Sequence, residues 1–565
     1  MTHKIAVRQL AFLWSFIITG ALPFCVFAQQ VPSAADIGRI KPEEKLHTAP
    51  QPVGAQINPP AALQPVAVPP GAKSIRFVLK QLEISGSTAF SSHTLQDYYS
   101  PYIGKEITLD RVYQIAALIT DHYHNAGYFL TRAYVPAQEI ENGVVEIRVV
   151  EGYINEVEIT DKVGSMRVVR AYIDQLTTQK PTEISTLEST LLLLNDLSGV
   201  SFSAILSPLE NAPDGAIKLA LITQQTPAQG KVSFDNWGSR FLGPNQLTTT
   251  YRTSLLPLQE TTVSALTSLP ADELNYFTLS HSGIVAPRIK VGITGSITRA
   301  EPGYTLKPFD IESASVYLGA NITYQWIRQR QENLAFMLTI DGRNTSSNIL
   351  SNTPFTDERI RAMRAETNYD MVDGWQGTNA IRFTMSQGID GLGSSNRRDA
   401  NLSRSQAKPD FSKLELSLSR LQAISPIWSL WGTASGQVAS GPLFSSEEFG
   451  YGGQAFGRAY DSSDITGDDG VSGSVELRYD GFEEWKSVSI SPYIFYDVGV
   501  IWNKDIAQDK RASAASAGFG LRVSTLYGVS GETGLAFPLI NTIDNPIYGQ
   551  EHEGPRIILR ISKDF

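Results

Sequence analysis

The C-terminal half of the chain alternates apolar and polar residues over most of its length. Leucine occupies every second position of residues 413–418, and the same alternation marks residues 475–480. It returns in residues 556–564, where Ile558 is the one apolar residue on the polar side. Because successive side chains point to opposite faces of a strand, this period predicts long strands without helices from residue 230 to 565.

Such strands fit either a soluble β-sandwich or a membrane barrel, since both have one apolar and one polar face. The extent of the pattern separates them, because it exceeds what one sandwich usually uses. Strands of about 9 to 11 residues with turns and longer loops would give about 16 of them. After the N-terminus, no segment is apolar enough for a transmembrane helix. We therefore predict an all-β transmembrane barrel of about 16 antiparallel strands over residues 225–565.

Residues 73–224 show a different pattern, in which short strands alternate with amphipathic helices. A helix is predicted over residues 109–125, ended by Gly127, with an apolar face of Val112, Ile115, Ala116, Ile119 and Tyr123. Strands are predicted around residues 77–84, 128–135 and 144–150, with Asn142-Gly143 as a hairpin signal. The same order recurs after this domain. Strands are predicted at 153–159, 200–206 and 216–221, and helices at 166–176 and 184–197. We predict a duplicated α+β module of roughly 75 residues, as domains 73–152 and 153–224.

The N-terminus carries Lys4 and Arg8, then an apolar run that ends at Ala28. This order predicts a secretory signal peptide over residues 1–28. The alternatives are a retained membrane anchor and lipid attachment at Cys25, which Phe24 in the preceding position disfavours. Residues 29–72 are rich in Pro, Ala and Gln and are read as a linker. Within it, residues 34–46 are expected to form a short helix that could plug a pore, although Pro42 would break or kink it.

Composition and motifs argue against several kinds of functional site. The only cysteine lies in the predicted signal, so the mature chain offers neither a disulfide nor a thiolate metal site. The formal net charge of −10 without a basic stripe argues against a nucleic-acid partner. Because no phosphate-binding loop, nucleophile elbow or paired catalytic carboxylates occur, we expect no enzyme activity, no cofactor and no metal. The acidic run Asp461, Asp464, Asp468 and Asp469 lacks calcium-loop spacing and is interpreted as a flexible surface loop.

Aromatic residues support the membrane interpretation. Trp428, Trp431, Trp485 and Trp502 lie at or near predicted strand ends, where an aromatic girdle would place them. Ordinary core packing is the better explanation of any single one, and the group is the stronger evidence. The chain stops on Phe565, at the end of an alternating strand. An aromatic last residue at that position resembles bacterial outer-membrane barrels, in which it serves barrel assembly.

Residues 119–152 resemble a POTRA domain, a periplasmic module that precedes certain outer-membrane barrels. The motif positions are Tyr123, Gly127, Tyr128, Glu151 and Gly152, and they agree with the predicted helix, hairpin and strand order. The second domain matches more weakly. Two such modules, a proline-rich linker and a barrel of this length are similar to the outer-membrane transporters of two-partner secretion, the hemolysin secretion/activation proteins.

The barrel carries a second resemblance to that family. The family has a Val-Arg-Gly-Tyr-type motif at the tip of the loop before its twelfth strand, and Gly457, Arg458, Ala459 and Tyr460 align with it. It also has a Phe-x-Asp motif on its thirteenth strand, and Phe495, Asp497 and Gly499 align with that motif. Five predicted strands follow the loop, which fits this placement. Ala459 stands where the family usually has Gly, so a tight backbone at the loop tip is in question.

The orientation of the second motif follows from alternation. Ile494, Tyr496 and Val498 form an apolar set that must face lipid, so Phe495 and Asp497 must face the lumen. A carboxylate there could receive a guanidinium, whose planar fork grips it with two hydrogen bonds. We hypothesise that Arg458 pairs with Asp497 and holds the loop inside the barrel. Otherwise Arg458 is a solvated loop residue and Asp497 one more polar lumen residue.

The resemblance implies an outer-membrane transporter that binds an unfolded exoprotein in the periplasm and passes it through the barrel. Its implied partners are that exoprotein, outer-membrane lipid and the barrel-assembly machinery. Three alternatives stay open. An assembly factor that inserts other barrels typically carries more periplasmic modules, a passive porin usually has none, and an adhesin or receptor would bind through its outer loops.

Overall fold

The computed structural model describes residues 32–40, 57–58, 68–160, 166–209, 211–350, 353–482, 488–505, 509–540 and 554–565. The predicted signal peptide and Trp485 lie outside these residues. Among the described helices, none is long and apolar enough to cross a membrane. The two residues Ile57–Asn58 form a short strand, β1.

The first small domain begins with short strands and contains one long helix. Its elements are β2 (Arg76–Val78), β3 (Gln81–Ser85), α1 (Ser92–Gln96), β4 (Glu106–Thr108), α2 (Leu109–Asn125), β5 (Arg132–Tyr134) and β6 (Val144–Val150). The strands β3, β6 and β5 form a sheet in that order. The apolar face predicted for α2 is buried against this sheet, with Ile115, Ile119 and Tyr123 fully inaccessible to solvent. The strand predicted over residues 128–135 is shorter than expected, because a turn joins Tyr128 to Thr131 after the left-handed Gly127.

The second small domain repeats the strand and helix order. Its elements are β7 (Tyr153–Ile159), α3 (Met166–Thr178), α4 (Ile184–Asn195), β8 (Val200–Pro208) and β9 (Ala216–Gln225). Its sheet has the order β1, β8, β9 and β7, so the linker strand β1 pairs in parallel with the edge of β8. Leucines of α4 and alternate residues of β8 and β9 form the core of this domain. Each domain therefore has a core of its own.

The remaining chain forms the barrel and one inward hairpin. The first eleven barrel strands are β10 (Gln229–Asp235), β11 (Gln246–Thr253), β12 (Gln259–Ser268), β13 (Asn275–Ala286), β14 (Ile289–Ala300), β15 (Glu312–Arg328), β16 (Glu332–Ile349), β17 (Thr353–Val372), β18 (Thr378–Gly388), β19 (Ser412–Ser425) and β20 (Trp428–Ala439). The short strands β21 (Phe449–Tyr451) and β22 (Ile465–Gly467) pair only with each other. The last five barrel strands are β23 (Asp469–Tyr479), β24 (Val488–Trp502), β25 (Arg511–Thr525), β26 (Val529–Pro538) and β27 (Arg556–Asp564).

These sixteen strands close into one antiparallel barrel, in which β27 pairs with β10. The predicted fold class and strand number are confirmed. Counting from β10, β23 is the twelfth barrel strand and β24 the thirteenth. The second small domain contacts one end of the barrel, which we call the domain end, and the opposite end is the distal end. Arg328 at the domain end of β15 binds Asp196 of the second domain through two hydrogen bonds of 2.8 and 2.9 Å.

The outer wall of the barrel is apolar and the inner wall is polar, as the alternation predicted. On β24, Ile494, Tyr496 and Val498 are 58%, 49% and 44% exposed, whereas Asp497 is fully buried. A membrane supplies the apolar surroundings that such an outer wall needs. Trp428 and Trp502 lie on this outer wall. The placement of Trp431 in an outer girdle is wrong: it lies three residues after Trp428, so it faces the lumen opposite Glu476.

Residues 32–40, here called the N-terminal segment, lie in the distal part of the lumen. Instead of one short helix they form two 3-10 turns, Ser33–Ala35 and Ile37–Arg39. Ile37 is buried among Leu242, Leu274 and Ala300 of the barrel. The rest of the expected helix, including Pro42, lies outside the described residues. The segment thus blocks part of the lumen.

Candidate functional site

The connection between β20 and β23, residues 440–468, folds into the lumen, and we call it the lumen loop. Its hairpin of β21 and β22 is held by a cluster of buried apolar side chains from the loop and the barrel wall. Tyr451, Phe456 and Tyr460 supply the loop side of this cluster, and Phe495 and Ile501 of β24 supply part of the wall. The apolar residues of this loop have no periodic pattern, because they fill one irregular space rather than one face of an element.

Arg458 and Asp497, which the sequence pairs by hypothesis, are in direct contact. The Arg458 Nη2 and Nε atoms donate to the two carboxylate oxygens of Asp497 at 2.9 and 3.1 Å. The backbone N–H of Arg458 donates to the same carboxylate at 3.0 Å. Both side chains are buried, with Asp497 at 0% and Arg458 at 6% exposure. The lumen loop is therefore attached to the thirteenth strand by a charge-assisted fork.

A second carboxylate in this network, Glu476, was missed from the sequence. Arg458 Nη1 donates to Glu476 at 2.6 Å, and Arg478 Nε donates to it at the same distance. Arg522 of β25 binds it as well, at 3.1 Å through Nη2. Glu476 lies on the polar face of β23, the strand beside β24. Its position in the alternating pattern could have shown that it faces the lumen. Three guanidinium groups therefore converge on one buried carboxylate.

The aromatic and glycine residues of the motifs shape the same site. The Arg458 guanidinium lies 3.6 Å from the ring centre of Phe495, which places it in cation–π contact. Gly499 leaves room for Tyr451, because a Cβ at Gly499 would lie 2.2 Å from that ring. Phe495 and Gly499, two positions before and after Asp497, thus contact the lumen loop rather than the Asp497 carboxylate.

The tight backbone at the loop tip lies at Gly457, with φ of 75°. A Cβ at this position would also lie 2.5 Å from Tyr451. Ala459 is not among the residues with positive φ and is fully buried, so it fits without strain. Tyr460 donates its hydroxyl to the backbone carbonyls of Ala515 and Ile540 at 2.8 and 2.6 Å. The departure at Ala459 therefore leaves the geometry of the tip intact.

The interpretation of the acidic run as a flexible surface loop is wrong. Asp461 and Asp468 are 4% and 0% exposed. Asp461 accepts a hydrogen bond from Arg240 Nε at 2.6 Å, and Asp468 accepts one from Arg404 Nη2 at 3.0 Å. These arginines come from connections far away in sequence, so only the folded chain shows that the carboxylates are paired.

The motif residues of the first domain meet around Glu151. This carboxylate accepts the backbone N–H groups of Thr88 and Ala89 at 2.7 and 2.9 Å, and the hydroxyl of Tyr123 at 2.8 Å. Burial alone would raise the pKa of Glu151, but these hydrogen bonds outweigh it and hold the pKa below its ordinary value. Burial and the neighbouring negative charge raise the pKa of Tyr123. The pair fixes the loop before α1 to the end of β6.

The remaining motif residues have structural roles in turns, close contacts and the barrel seam. Gly127 has φ of 94° directly after α2, and a Cβ at Gly152 would lie 2.3 Å from the carbonyl oxygen of Leu130. The hydroxyl of Tyr128 lies 3.5 Å from Glu183 of the second domain. The Phe565 ring covers Gly230 at the closing seam, and the two residues exchange backbone hydrogen bonds of 2.7 and 2.9 Å.

The lumen keeps a cavity of about 1460 Å³ between the N-terminal segment, the lumen loop and the wall. Arg39, Arg458, Glu476 and Arg522 are among the residues that line it. Its charged lining suits a polar, extended solute better than an apolar ligand. A chain could pass through the whole barrel only after the loop or the segment has moved.

Comparisons with known proteins agree with this architecture. The family model "Haemolysin secretion/activation protein ShlB/FhaC/HecB" matches residues 291–523, and the model "POTRA domain, ShlB-type" matches residues 77–152. The heme/hemopexin transporter protein HuxB of Haemophilus influenzae is 23% identical over 92% of this chain and 94% of its own length. The outer membrane transporter CdiB of Dickeya dadantii is 20% identical, with 80% and 81% covered.

A solved structure has the same fold. CdiB from Escherichia coli aligns with a TM-score of 0.69 and 17% identity, over 90% of this chain and 94% of that chain. The closed barrel, the POTRA modules and the two family models point in one direction. The chain is an outer-membrane barrel with POTRA domains, it resembles the haemolysin secretion/activation proteins over residues 291–523, and it is similar over most of its length to the transporters HuxB and CdiB.

Proposed function

We propose that this chain exports an unfolded exoprotein, which the POTRA domains bind in the periplasm and the barrel passes to the cell surface in extended form. The observation that carries this proposal is the direct attachment of the second domain to the barrel rim. Arg328 binds Asp196, and the backbone N–H of Arg288 donates to the Tyr172 hydroxyl at 2.9 Å. A segment bound to this domain would therefore be held beside the entrance of the lumen.

Strand addition is the binding mode that the sheets of the two domains favour. In the first domain β3 and β5 are edge strands, which present unpaired backbone groups to an extended partner. In the second domain, the linker strand β1 already adds to the edge of β8. This internal pairing supports strand addition as the binding mode.

The lumen loop is the part that we expect to control passage. We propose that Arg458 and Asp497 keep it in the position that transport requires, with Phe495, Gly499, Gly457, Ala459 and Tyr460 shaping its seat. Further partners in this proposal are outer-membrane lipid, which contacts the apolar outer wall, and the barrel-assembly machinery, which recognises Phe565. Transport rather than catalysis is the activity we propose, because the family is one of transporters.

Deletion of residues 73–224 tests the proposal against the porin alternative. The intact chain and the deletion variant would each be co-expressed with a candidate exoprotein that the intact chain is first shown to release, and the exoprotein would be measured in the culture medium. We expect release to stop while the barrel remains in the outer membrane. Undiminished release from the deletion variant would contradict the proposal, and solute uptake into liposomes would then test a porin.

A further inference from the structure

The outer wall of β16 and β17 carries two arginines directly above its apolar belt. On this wall Ile340 and Met363 are 52% and 48% exposed and end the belt towards the distal end. The next outward positions on β17 are Arg361 and Arg359, because they share the parity of Met363. These are the longest strands of the barrel, with 18 and 20 residues.

The height of the arginines along the wall matches the edge of a membrane. Ten residues separate Leu334, at the domain end of β16, from Asn344, which pairs with Arg359. At about 3.4 Å per residue and a tilt of about 40°, these ten residues rise roughly 25 Å, the height of the apolar band of outer-membrane barrels. Because the domain end is periplasmic, Arg359 and Arg361 lie at the headgroups of the outer leaflet.

The wall around Arg361 leaves space for its side chain to lie flat. Arg361 pairs across the strands with Gly342, and a Cβ there would lie 3.2 Å from Arg361 Cδ. The guanidinium reaches the distal connection, where Nε donates to the Leu392 carbonyl at 3.2 Å. This direction is the one that an arginine takes when it keeps its charge in the headgroup region.

The charge of this pair of residues is only partly neutralised within the protein. The hydrogen-bond partners of Arg361 among the described residues are backbone carbonyls, those of Leu392, Arg343 and Ile360. Arg359 contacts Asp357 at 3.1 Å, but both side chains are about half exposed, and such a pair is weak. Two guanidinium groups therefore face the headgroup region, and among the described residues the carboxylate that forms an ion pair with them is Asp357.

We propose that Arg359 and Arg361 bind a phosphate group of the phosphorylated glycolipid, lipid A, that forms the outer leaflet. Guanidinium forks fit phosphate oxygens in pairs, and the apolar belt below would contact the acyl chains of the same molecule. Since Arg361 also holds the Leu392 carbonyl, a bound lipid would fix the distal connection between β18 and β19 against the wall. The proposal rests on the outer-membrane location of the barrel, not on the exported partner.

The test is a binding titration of the full-length protein in detergent. Bis-phosphorylated lipid A would be added to the wild type and to the Arg359→Gln/Arg361→Gln variant, and the complexes counted by native mass spectrometry. Each arginine should contribute about fivefold to affinity, so the double variant should bind about 25-fold more weakly. Arg511→Gln is the matched control, because Arg511 is an exposed outward residue at the distal end, six barrel strands away. It should bind like the wild type.

Several outcomes would overturn the proposal. Equal binding by the wild type and a folded double variant would show that these arginines do not bind lipid A. An equal loss of affinity in the Arg511 control would show attraction by general charge. Competition by inorganic phosphate at the concentration of the lipid would indicate a free-anion site. Equal binding of dephosphorylated lipid A would indicate adsorption by the acyl chains alone. If the double variant fails to fold, Arg359→Lys/Arg361→Lys, which keeps the charge but loses the forks, should bind more weakly than the wild type.

Discussion

Asp497 contacts one charged residue of the lumen loop, Arg458. Since Arg458 places its side chain and its backbone N–H on this carboxylate, Asp497→Ala would remove three hydrogen bonds at once. Breaking a buried pair from one side costs about 3–5 kcal/mol when the other charge is left without a partner. Arg458 keeps its bond to Glu476, so the cost here should fall below that range. The loop should leave its seat although the barrel, closed by its own strand pairing, remains intact.

We therefore predict that Asp497→Ala abolishes secretion while the barrel stays inserted. Secretion would be measured in culture medium, and insertion by the heat-dependent shift of the folded barrel on electrophoresis. Asp480→Ala, at the domain end of the neighbouring strand β23, is the control and should secrete normally. Normal secretion by Asp497→Ala would refute the role of the pair.

Glu151 gives a second prediction at the scale of one residue, this time in the periplasm. Glu151→Gln would turn an amide NH₂ group towards donors that now meet a carboxylate, and unsatisfied buried groups cost about 1–3 kcal/mol each. We expect faster hydrogen exchange at the amides of Thr88 and Ala89, which donate to Glu151. Glu139→Gln, at an exposed position, should leave this exchange unchanged.

The pH dependence of that effect has a defined sign. The pKa of Glu151 is lower in the folded domain than in the unfolded chain. Its stabilisation is therefore complete above the unfolded pKa of about 4.3 and is lost as pH falls through the folded pKa. The difference in exchange between wild type and Glu151→Gln should narrow below about pH 4. A constant difference down to pH 2 would contradict this account.

The N-terminal segment is the element whose removal should change the pore most. It is held by Ser239, which donates to the Ala34 carbonyl at 2.6 Å, and by the ion pair of Arg39 with Glu448 at 3.2 Å. Deletion of residues 32–40 should increase the conductance of the barrel in planar bilayers, because the distal lumen loses its filling. Arg39→Ala should give an intermediate increase, and Lys408→Ala, at an exposed position, none. Unchanged conductance after the deletion would show that the lumen loop alone closes the pore.

Elements with a regular period were predictable, and those that fill irregular space were not. The helix over residues 109–125 and the strand over 144–150 agree with the structure to the residue, since each has one buried face with a clear period. The two 3-10 turns and the hairpin of β21 and β22 have no such period. Their burial depends on neighbours from other parts of the barrel, so the local pattern carries no signal for them.

Closure of the barrel depends on the seam between β10 and β27, which has only five paired residues on each strand. Phe565 extends this seam through its backbone bonds with Gly230. We predict that Phe565→Ala reduces the amount of folded barrel in the outer membrane, measured as the heat-shifted fraction. Tyr527→Ala, at an exposed position in the connection between β25 and β26, is the control. Equal amounts of folded barrel in both variants would leave Phe565 without a role in assembly.

The sequence by itself determined the architecture of the whole molecule. Alternation set the strands and their faces, and helical periods set the two modules, because both depend on neighbours within one element. The motif residues predicted that Arg458 and Asp497 could meet. Only the tertiary structure decided that Glu476 joins them, that Asp461 and Asp468 are buried, and that Arg478 lies over the Trp431 ring. These facts depend on which strands become neighbours and how the lumen loop folds between them, and charge pairing across a lumen leaves no period along the chain.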